Sequence, residues 1–396
     1  MNNFELRNLP DLFFGRESEK KCGKLLRDMG AHRVLIHHSG EPFVLSLVEQ
    51  VKGYIEAEGL WCTDLGGVKP NPRLELVYEG IKLCREEKID AILAVGGGSV
   101  IDSAKGIAMG AVYDGDVWDF YKGTALPTKI LMIGAITTFA GTGSEFSRAS
   151  IVTNEALDLK RSCDDIDIMR PAFAIVNPEL TFTVPPKQTA AGAADIFSHC
   201  CEFYFTHTKD VYLSHQLLAA GMKAVLKNAP IAYREPTNYA ARSALSITAP
   251  LAICGILRLG LVGDWACHLI EHEMSTEFDC PHGTGLAIIT PYWIEYVYRQ
   301  DVNLFARWAV DAFGIDYDFD DPERTVKDGL LALRDFYRQL DMPRTIREFA
   351  PQATPEIMAK LSRRIPYYGG EDKSTIGETF PLNEMDVYNI YMAALG

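Results

Sequence analysis

The densest concentration of chemistry in the chain is the stretch from Gly263 to Gly285, GDWACHLIEHEMSTEFDCPHGTG. It holds His268, His272 and His282, out of nine histidines in all. His268 and His272 are four residues apart, which on a helix puts them on one face, about 6 Å apart along the axis. His282 follows after a break containing Pro281. A second pair with the same spacing, Asp195 and His199, lies upstream in AADIFSHCCE. Four of these five side chains would suffice to surround one metal ion. Carboxylate with imidazole suits a divalent ion such as Fe(II) or Zn(II). Single histidines and isolated pairs mean little; the coincidence of two pairs with His282 is what points to a metal centre. Cys200, Cys267 and Cys280 stand beside the candidate ligands. They are read as packing residues, since neighbours along a helix point about 100° apart.

The elements that must position these residues fall into two blocks. In the first, strand-like runs alternate with amphipathic helices. Arg33–His37 reads as a strand, Phe43–Glu58 as a helix, Leu60–Leu65 as a strand and Pro72–Glu87 as a helix. Asp90–Val95 is a third strand that runs into Gly96-Gly97-Gly98-Ser99, and Val100–Met109 is the helix after it. Ile130–Ala135, Ile151–Thr153 and Phe173–Val176 are further strands. This alternation predicts a parallel α/β sheet. After Val184-Pro185-Pro186 the period changes and helices dominate: 190–206, 211–228, 239–257, 264–276, 284–298, 302–313, 322–340 and 355–364. The expected architecture is α/β plus all-α. An N-terminal α/β dinucleotide-binding domain would span residues 1–186 and an all-helical metal-binding domain residues 187–396. The length of 396 residues suits two cores.

Two loops in the first block carry a second chemistry. GGGS at the end of an apolar strand, with a helix behind it, suits phosphate. Glycine lets the backbone approach the anion, and the helix N-terminus offers free N–H groups and a favourable dipole. It is neither GxGxxG nor a Walker P-loop. TTFAGTGSE, Thr137–Glu145, adds hydroxyl donors at the end of the next strand, where open α/β sheets bind ligands. Together the loops point to a dinucleotide.

Composition narrows the classes. A net charge of −14 with no extended basic run argues against nucleic acid. No stretch reaches the roughly 18 apolar residues of a membrane span, and MNNFELRNLPDLFFG lacks the basic start and apolar core of a signal peptide. Nine scattered cysteines with no CxxC pair fit reduced thiols, so a cytoplasmic location is expected.

From about Phe4 to its C-terminus the chain resembles the iron-containing (group III) alcohol dehydrogenases, in particular the butanol dehydrogenase branch. The marks are VKPNP at Val68–Pro72, GGGSVIDSAKGIA at Gly96–Ala108, TTFAGTGSE, GAADIFSHCCEFYF at Gly192–Phe205, and GDWACHLIEHEMS followed by PHGTGLAI. The resemblance implies the two-domain dehydroquinate synthase-like fold, with the site in the cleft between the domains. It implies Asp195, His199, His268 and His282 as metal ligands and His272 as the histidine near the nicotinamide, a candidate proton relay. It implies Gly97, Gly98 and Ser99 as the pyrophosphate loop and Asp102 close to the cofactor. Thr138 and Thr142 become cofactor contacts, Asn71 a neighbour of the adenine, and Lys160 a holder of the nicotinamide side. Homodimers joined by N-terminal strands are common in the family, and the segment with Phe4, Leu6, Leu12 and Phe13 is placed to do the same.

The implied function is hydride transfer between a nicotinamide and a small alcohol or aldehyde. Phe146, Trp265 and Phe278 favour short to medium alkyl or aryl substrates. One departure bears on the nucleotide. Where the branch often has glycines and then serine, this chain reads His38-Ser39-Gly40-Glu41-Pro42. Ser39 leaves room for a 2′-phosphate where NAD enzymes usually carry an acid. The expectation is NADP(H), with NAD(H) as the alternative because Glu41 follows. A rival reading is a dehydroquinate synthase-like lyase using NAD and a metal. That chemistry needs several Lys and Arg for a phosphorylated acid, and Ala191–Phe205 and Gly263–Gly285 contain neither.

Overall fold

The computed structural model describes residues 1–7, 9–164, 166–364 and 375–396. They divide into two compact units, one of Leu6–Val184 and one of Pro185–Gly396 together with Met1–Glu5.

The first unit contains strands β1 (Asp11–Phe14), β2 (Arg33–His38), β3 (Trp61–Leu65), β4 (Ala91–Gly96), β5 (Met132–Thr137), β6 (Ser150–Asn154), β7 (Leu159–Cys163) and β8 (Phe173–Val176). Its helices are α1 (Cys22–Asp28), α2 (Pro42–Glu56), α3 (Leu74–Glu86), α4 (Gly98–Ala111) and the single turn α5 (Trp118–Tyr121). Six strands form one sheet in the order β1-β8-β5-β4-β2-β3, every pair parallel. Successive side chains alternate between its faces. Val34, Ile36, Leu93 and Val95 pack with Leu26, Val48 and Val51 of α1 and α2. Leu35, Ile92 and Ala94 pack with Val77, Ile81, Ile101 and Ile107 of α3 and α4. Cover on both faces explains why β2 and β4 read as unbroken apolar runs.

Two features depart from the sequence pattern. Asp11–Phe14 forms an edge strand of this chain's own sheet, paired parallel with β8, and leaves Leu12 and Phe14 exposed. Ser150–Asn154 stands outside the main sheet, in an antiparallel hairpin with β7.

The second unit is helical: α6 (Pro186–Tyr204), α7 (Tyr212–Arg234), α8 (Tyr239–Cys254), α9 (Ala266–Phe278), α10 (His282–Val297), α11 (Val302–Phe313), α12 (Pro322–Gln339), α13 (Ile346–Phe349), α14 (Pro355–Ser362) and α15 (Glu384–Leu395). Periodicity does not single out α15; it starts at a capping box formed by Asn383 and Asp386. The unit is organised around α6, which is buried from Thr189 to Tyr204 without a break and packs against α7, α8 and α10. The approach of α10 is close enough that a Cβ on Gly283 would lie 1.8 Å from the Ala191 carbonyl oxygen. That contact sits one turn from Asp195 and beside His282, so it fixes their separation. None of the described helices is long and apolar enough to cross a membrane.

Replacing Gly283 with Ala therefore forces α10 off α6. The expected cost is about 1–3 kcal/mol or more, read as a lower denaturant midpoint. A variant as stable as the parent would show that the two helices are not held at this distance.

Candidate functional site

Helix α6 presents Asp195, His199 and Glu202 at i, i+4 and i+7, one face of a buried helix. Helix α9 presents His268 and His272, and His282 is the first residue of α10. The fold brings Asp195 together with three imidazoles. The Nε2 atoms of His199, His268 and His282 lie 3.6, 3.8 and 3.7 Å from Asp195 Oδ1. The ligand atoms of Asp195, His268 and His282 all fall within 4.8 Å of one another. His199 joins them through Asp195 and by stacking its ring 4.8 Å from that of His268.

These atoms fit a divalent ion. Ligands held at about 2.0–2.2 Å in a tetrahedron stand roughly 3.3–3.6 Å from one another, close to the spacings here. Asp195 Oδ1 and His268 Nε2 are buried without a hydrogen-bond partner, an arrangement that is costly unless something else occupies the space between them. Asp195, Glu202 and Glu271 are all buried, and among the described residues neither Asp195 nor Glu202 pairs with a Lys or Arg. A cation at this point offsets charge that the fold otherwise leaves buried.

Two carboxylates hold the outer nitrogens of the imidazoles. Glu202 Oε2 bonds His268 Nδ1, and Glu271 Oε2 bonds His282 Nδ1. The sequence reading missed both, although the signal was present. Glu202 lies three residues after His199 and Glu271 three after His268, acids at helical spacing within otherwise apolar faces. Glu202 also organises the start of α9. Its carboxylate accepts from the Cys267 N–H at 2.8 Å, and its main-chain carbonyl accepts from Asp264 N–H at 2.9 Å. Trp265 enters that turn with φ 65°, a left-handed conformation unusual for a bulky residue. Its indole meets His268, Phe203 and His199 edge-on at 4.9, 5.0 and 5.9 Å.

Charge follows from these partners. Burial raises the Asp195 carboxyl, but His199, His282 and His268 outweigh it and hold it below the usual carboxylate range. Burial pushes His199 down to about 3. Burial also opposes a charge on His268, yet Glu202 and Asp195 raise it to about 10. An ion entering the cluster has a proton on His268 to displace. His272 is buried, with its ring 5.4 Å from that of His282. Cys200, Cys267 and Cys280 are fully buried, and burial raises the thiols of Cys200 and Cys267.

The dinucleotide candidates lie at the carboxyl ends of the central strands. Ser39 follows β2, Gly97 follows β4 and Thr138 follows β5. Strand β3 lies on one side of β2 and β4 on the other, so the order reverses there, which is where open α/β sheets take ligands. Helix α4 starts at Gly98 with no side-chain cap. A Cβ on Gly98 would lie 2.2 Å from Thr142 Oγ1, so glycine is required for the 142 loop to lie against this helix start. Thr138 N–H bonds the Gly96 carbonyl at 3.1 Å. Lys160 Nζ donates to Asn71 Oδ1 at 3.0 Å, joining two of the expected contacts. Asp102 is buried and occupied: Ser144 Oγ donates to it at 2.5 Å and Ile151 N–H at 3.3 Å. The sequence reading also missed Lys105. This fully buried side chain spreads its ammonium over the carbonyls of Ser144, Ser147 and Ala149 and the hydroxyls of Ser144 and Ser147 at 2.8–3.1 Å. It fixes the conformation of the loop that carries Thr138 and Thr142.

Comparison with known proteins agrees with the two-unit fold. A model of the iron-containing alcohol dehydrogenases matches residues 10–178, and the family's C-terminal model matches residues 189–395. The chain is 35% identical to NADH-dependent butanol dehydrogenase A of Clostridium acetobutylicum, over 99% of both chains. It is 30% identical to an NADPH-dependent aldehyde reductase of Escherichia coli, over 91% of this chain and 93% of that one. The crystal structure of an NADH-dependent butanol dehydrogenase A from Thermotoga maritima superposes with a TM-score of 0.95 at 31% identity, covering 100% of this chain and 99% of the other. The chain belongs to the iron-containing alcohol dehydrogenase family and is an oxidoreductase. None of these relatives carries the name of a lyase.

Lys105→Met removes a cation from beside Asp102, whose carboxylate lies 4.0 Å away, and strands the oxygens it served. A loss of about 3–5 kcal/mol is expected, with a raised Michaelis constant for the dinucleotide and unchanged metal stoichiometry. Denaturant titration, nucleotide kinetics and metal analysis on one preparation check all three.

Proposed function

We propose that the chain is a metal-dependent NAD(P)(H) alcohol dehydrogenase that also runs as an aldehyde reductase on small primary alcohols and aldehydes. The observation that carries this is Asp195 with three imidazole Nε2 atoms 3.6–3.8 Å from its Oδ1, where that Oδ1 and His268 Nε2 are buried without a hydrogen-bond partner. In this reading Asp195, His199, His268 and His282 hold Fe(II) or Zn(II). Ser39, Asn71, Gly97, Gly98, Ser99, Asp102, Thr138, Thr142 and Lys160 serve the dinucleotide. The ion supplies Lewis-acid polarisation of the alcohol or aldehyde oxygen, and the nicotinamide supplies or accepts the hydride. The rest falls to the protein. Glu202 and Glu271 keep the imidazoles oriented, and Trp265 with Phe203 excludes water from one side of the cluster. His272 passes a proton between the substrate oxygen and solvent at a ring nitrogen. Trp265 beside the cluster favours apolar substrates, and Phe146 and Phe278 belong to the same reading.

The nucleotide in this proposal is NADP(H). No acid stands at Ser39, and Asp64 on β3 is already engaged, by Lys52 at 2.8 Å and His38 at 3.1 Å. The domain division is 1–186 and 187–396, in line with the separate helical unit from Pro185. A homodimer is supported by the exposed apolar side chains of edge strand β1, and a cytoplasmic location by nine cysteines of which none forms a disulfide.

Chelation of anaerobically purified protein should abolish aldehyde-dependent NADPH oxidation, Fe(II) or Zn(II) should restore it, and His268→Ala should be inactive by a factor of at least 10³. Activity that survives all three treatments would remove the metal from the reaction. Ser39→Asp should shift the kcat/KM ratio by about tenfold or more toward NADH, since a like charge opposes the 2′-phosphate; a parent enzyme that already prefers NADH would overturn the nucleotide assignment.

A further inference from the structure

The two glutamates that bond Nδ1 atoms do not hold them in the same way. Both oxygens of Glu202 face donors. Oε2 meets His268 Nδ1, and Oε1 meets the backbone N–H of Cys267 at 2.8 Å and that of His268 at 3.4 Å. A backbone N–H cannot reverse its polarity. Glu271 meets His282 Nδ1 through Oε2, but its Oε1 meets the hydroxyl of Ser275. That hydroxyl either donates or accepts, and it also lies 3.0 Å from the Cys280 carbonyl, an alternative place for its proton.

We propose that Glu202 is the positioning residue that sets the tautomer of His268, keeping a proton on Nδ1 so that Nε2 is the nitrogen left to face an ion at Asp195, whereas Glu271 exerts a hold on His282 that a neutral amide can replace. This rests on the reading of the cluster as a divalent-metal site. An amide has one acceptor oxygen and a donor NH2. At position 202 the oxygen can serve Cys267 or His268, not both. If it serves Cys267, the NH2 donates to Nδ1, the imidazole proton moves to Nε2 and the ligand is lost. If it serves His268, the first turn of α9 loses the acceptor for its N–H. At position 271 the amide oxygen serves His282 and the NH2 donates to Ser275 Oγ, whose proton turns to the Cys280 carbonyl. Neither His282 nor Ser275 is left without its partner.

Two further contacts sharpen the asymmetry. Glu202 sits on α6 with Asp195 and His199, so its bond to His268 ties three of the four ligands into one rigid set. His199 Nδ1 is buried with no hydrogen-bond partner, so nothing on its own outer nitrogen compensates when His268 is lost.

The test uses full-length apo-protein titrated with Co(II) and with Zn(II) in competition with a chromophoric chelator. The Co(II) visible spectrum at saturation reports the ligand set. Glu202→Gln is expected to lose about 10–100-fold in affinity and to show an altered Co(II) spectrum. Glu271→Gln should stay within about threefold of the parent and keep its spectrum. Equal losses in the two variants, or a parental spectrum in Glu202→Gln, would overturn the proposal. Should Glu202→Gln not fold, Glu202→Asp carries the test. It keeps two acceptor oxygens and should keep the parental spectrum at saturation; a spectrum with one imidazole fewer would overturn the tautomer role. A parent protein that binds neither metal is a separate result, which overturns the metal-centre reading itself.

Discussion

A helix buried on every side cannot carry two carboxylates and an imidazole unless each finds a counterpart. Helix α6 carries Asp195, His199 and Glu202 in that position. The helical unit is arranged around this constraint. The start of α9 is bent through a left-handed tryptophan so that its free N–H groups and His268 meet Glu202. Helix α10 comes in close enough to require glycine at 283, and so delivers His282 to Asp195. Among the atoms left unmatched after these contacts are Asp195 Oδ1 and His268 Nε2. The unmatched remainder is where a cation would find buried charge to offset, because the fold has spent its own donors elsewhere.

The two units solve opposite versions of one electrostatic problem. In the parallel-sheet unit a buried cation, Lys105, gathers carbonyl and hydroxyl oxygens and so shapes the loop from Thr138 to Ala149. Burial pulls its pKa down to about 8, against the pull of Asp102 and Glu145. In the helical unit buried anions gather donors instead. A loop built around a donor-only side chain keeps its backbone carbonyls turned inward. A cluster built around carboxylates keeps its nitrogen lone pairs in the middle. The first suits a surface that must admit a phosphate from outside, the second a pocket that must attract a cation.

Much of this was legible in the sequence because the relevant signals are local. Short apolar runs ending in GGGS and TTFAGTGSE marked the sheet and the carboxyl ends of its strands. The i,i+4 pairs Asp195/His199 and His268/His272 marked helical faces. What was not legible depended on partners distant in the chain. Asp11–Phe14 reads as a short apolar segment, and only its register with Phe173–Val176 makes it an edge strand. Glu202 and Glu271 look like ordinary helix acids until α9 and α10 supply the Nδ1 atoms that give them work. Lys105 stands within GGGSVIDSAKGIA as one basic residue in an apolar helix; its purpose lies about forty residues away, in the carbonyls of the 144–149 loop. Asp102 reads as a cofactor contact, and nothing local in the sequence shows that Ser144 and Ile151 also bond its oxygens.

The unequal anchoring of the histidines bears on how the cluster assembles. His268 and His282 are held from behind by carboxylates, whereas His199 rests on its stacking with His268 and on Trp265. Without an ion, a proton on His268 is the cheapest way to offset Glu202 and Asp195, as its raised pKa reflects. A divalent ion held by these residues would exchange for that proton and offset the charge of Asp195, which would link metal affinity to the stability of the α6–α9–α10 core. Substitutions at Gly283 or Glu202 would therefore act on such an ion through the helices, and its loss would act back on the helices through the charge left buried.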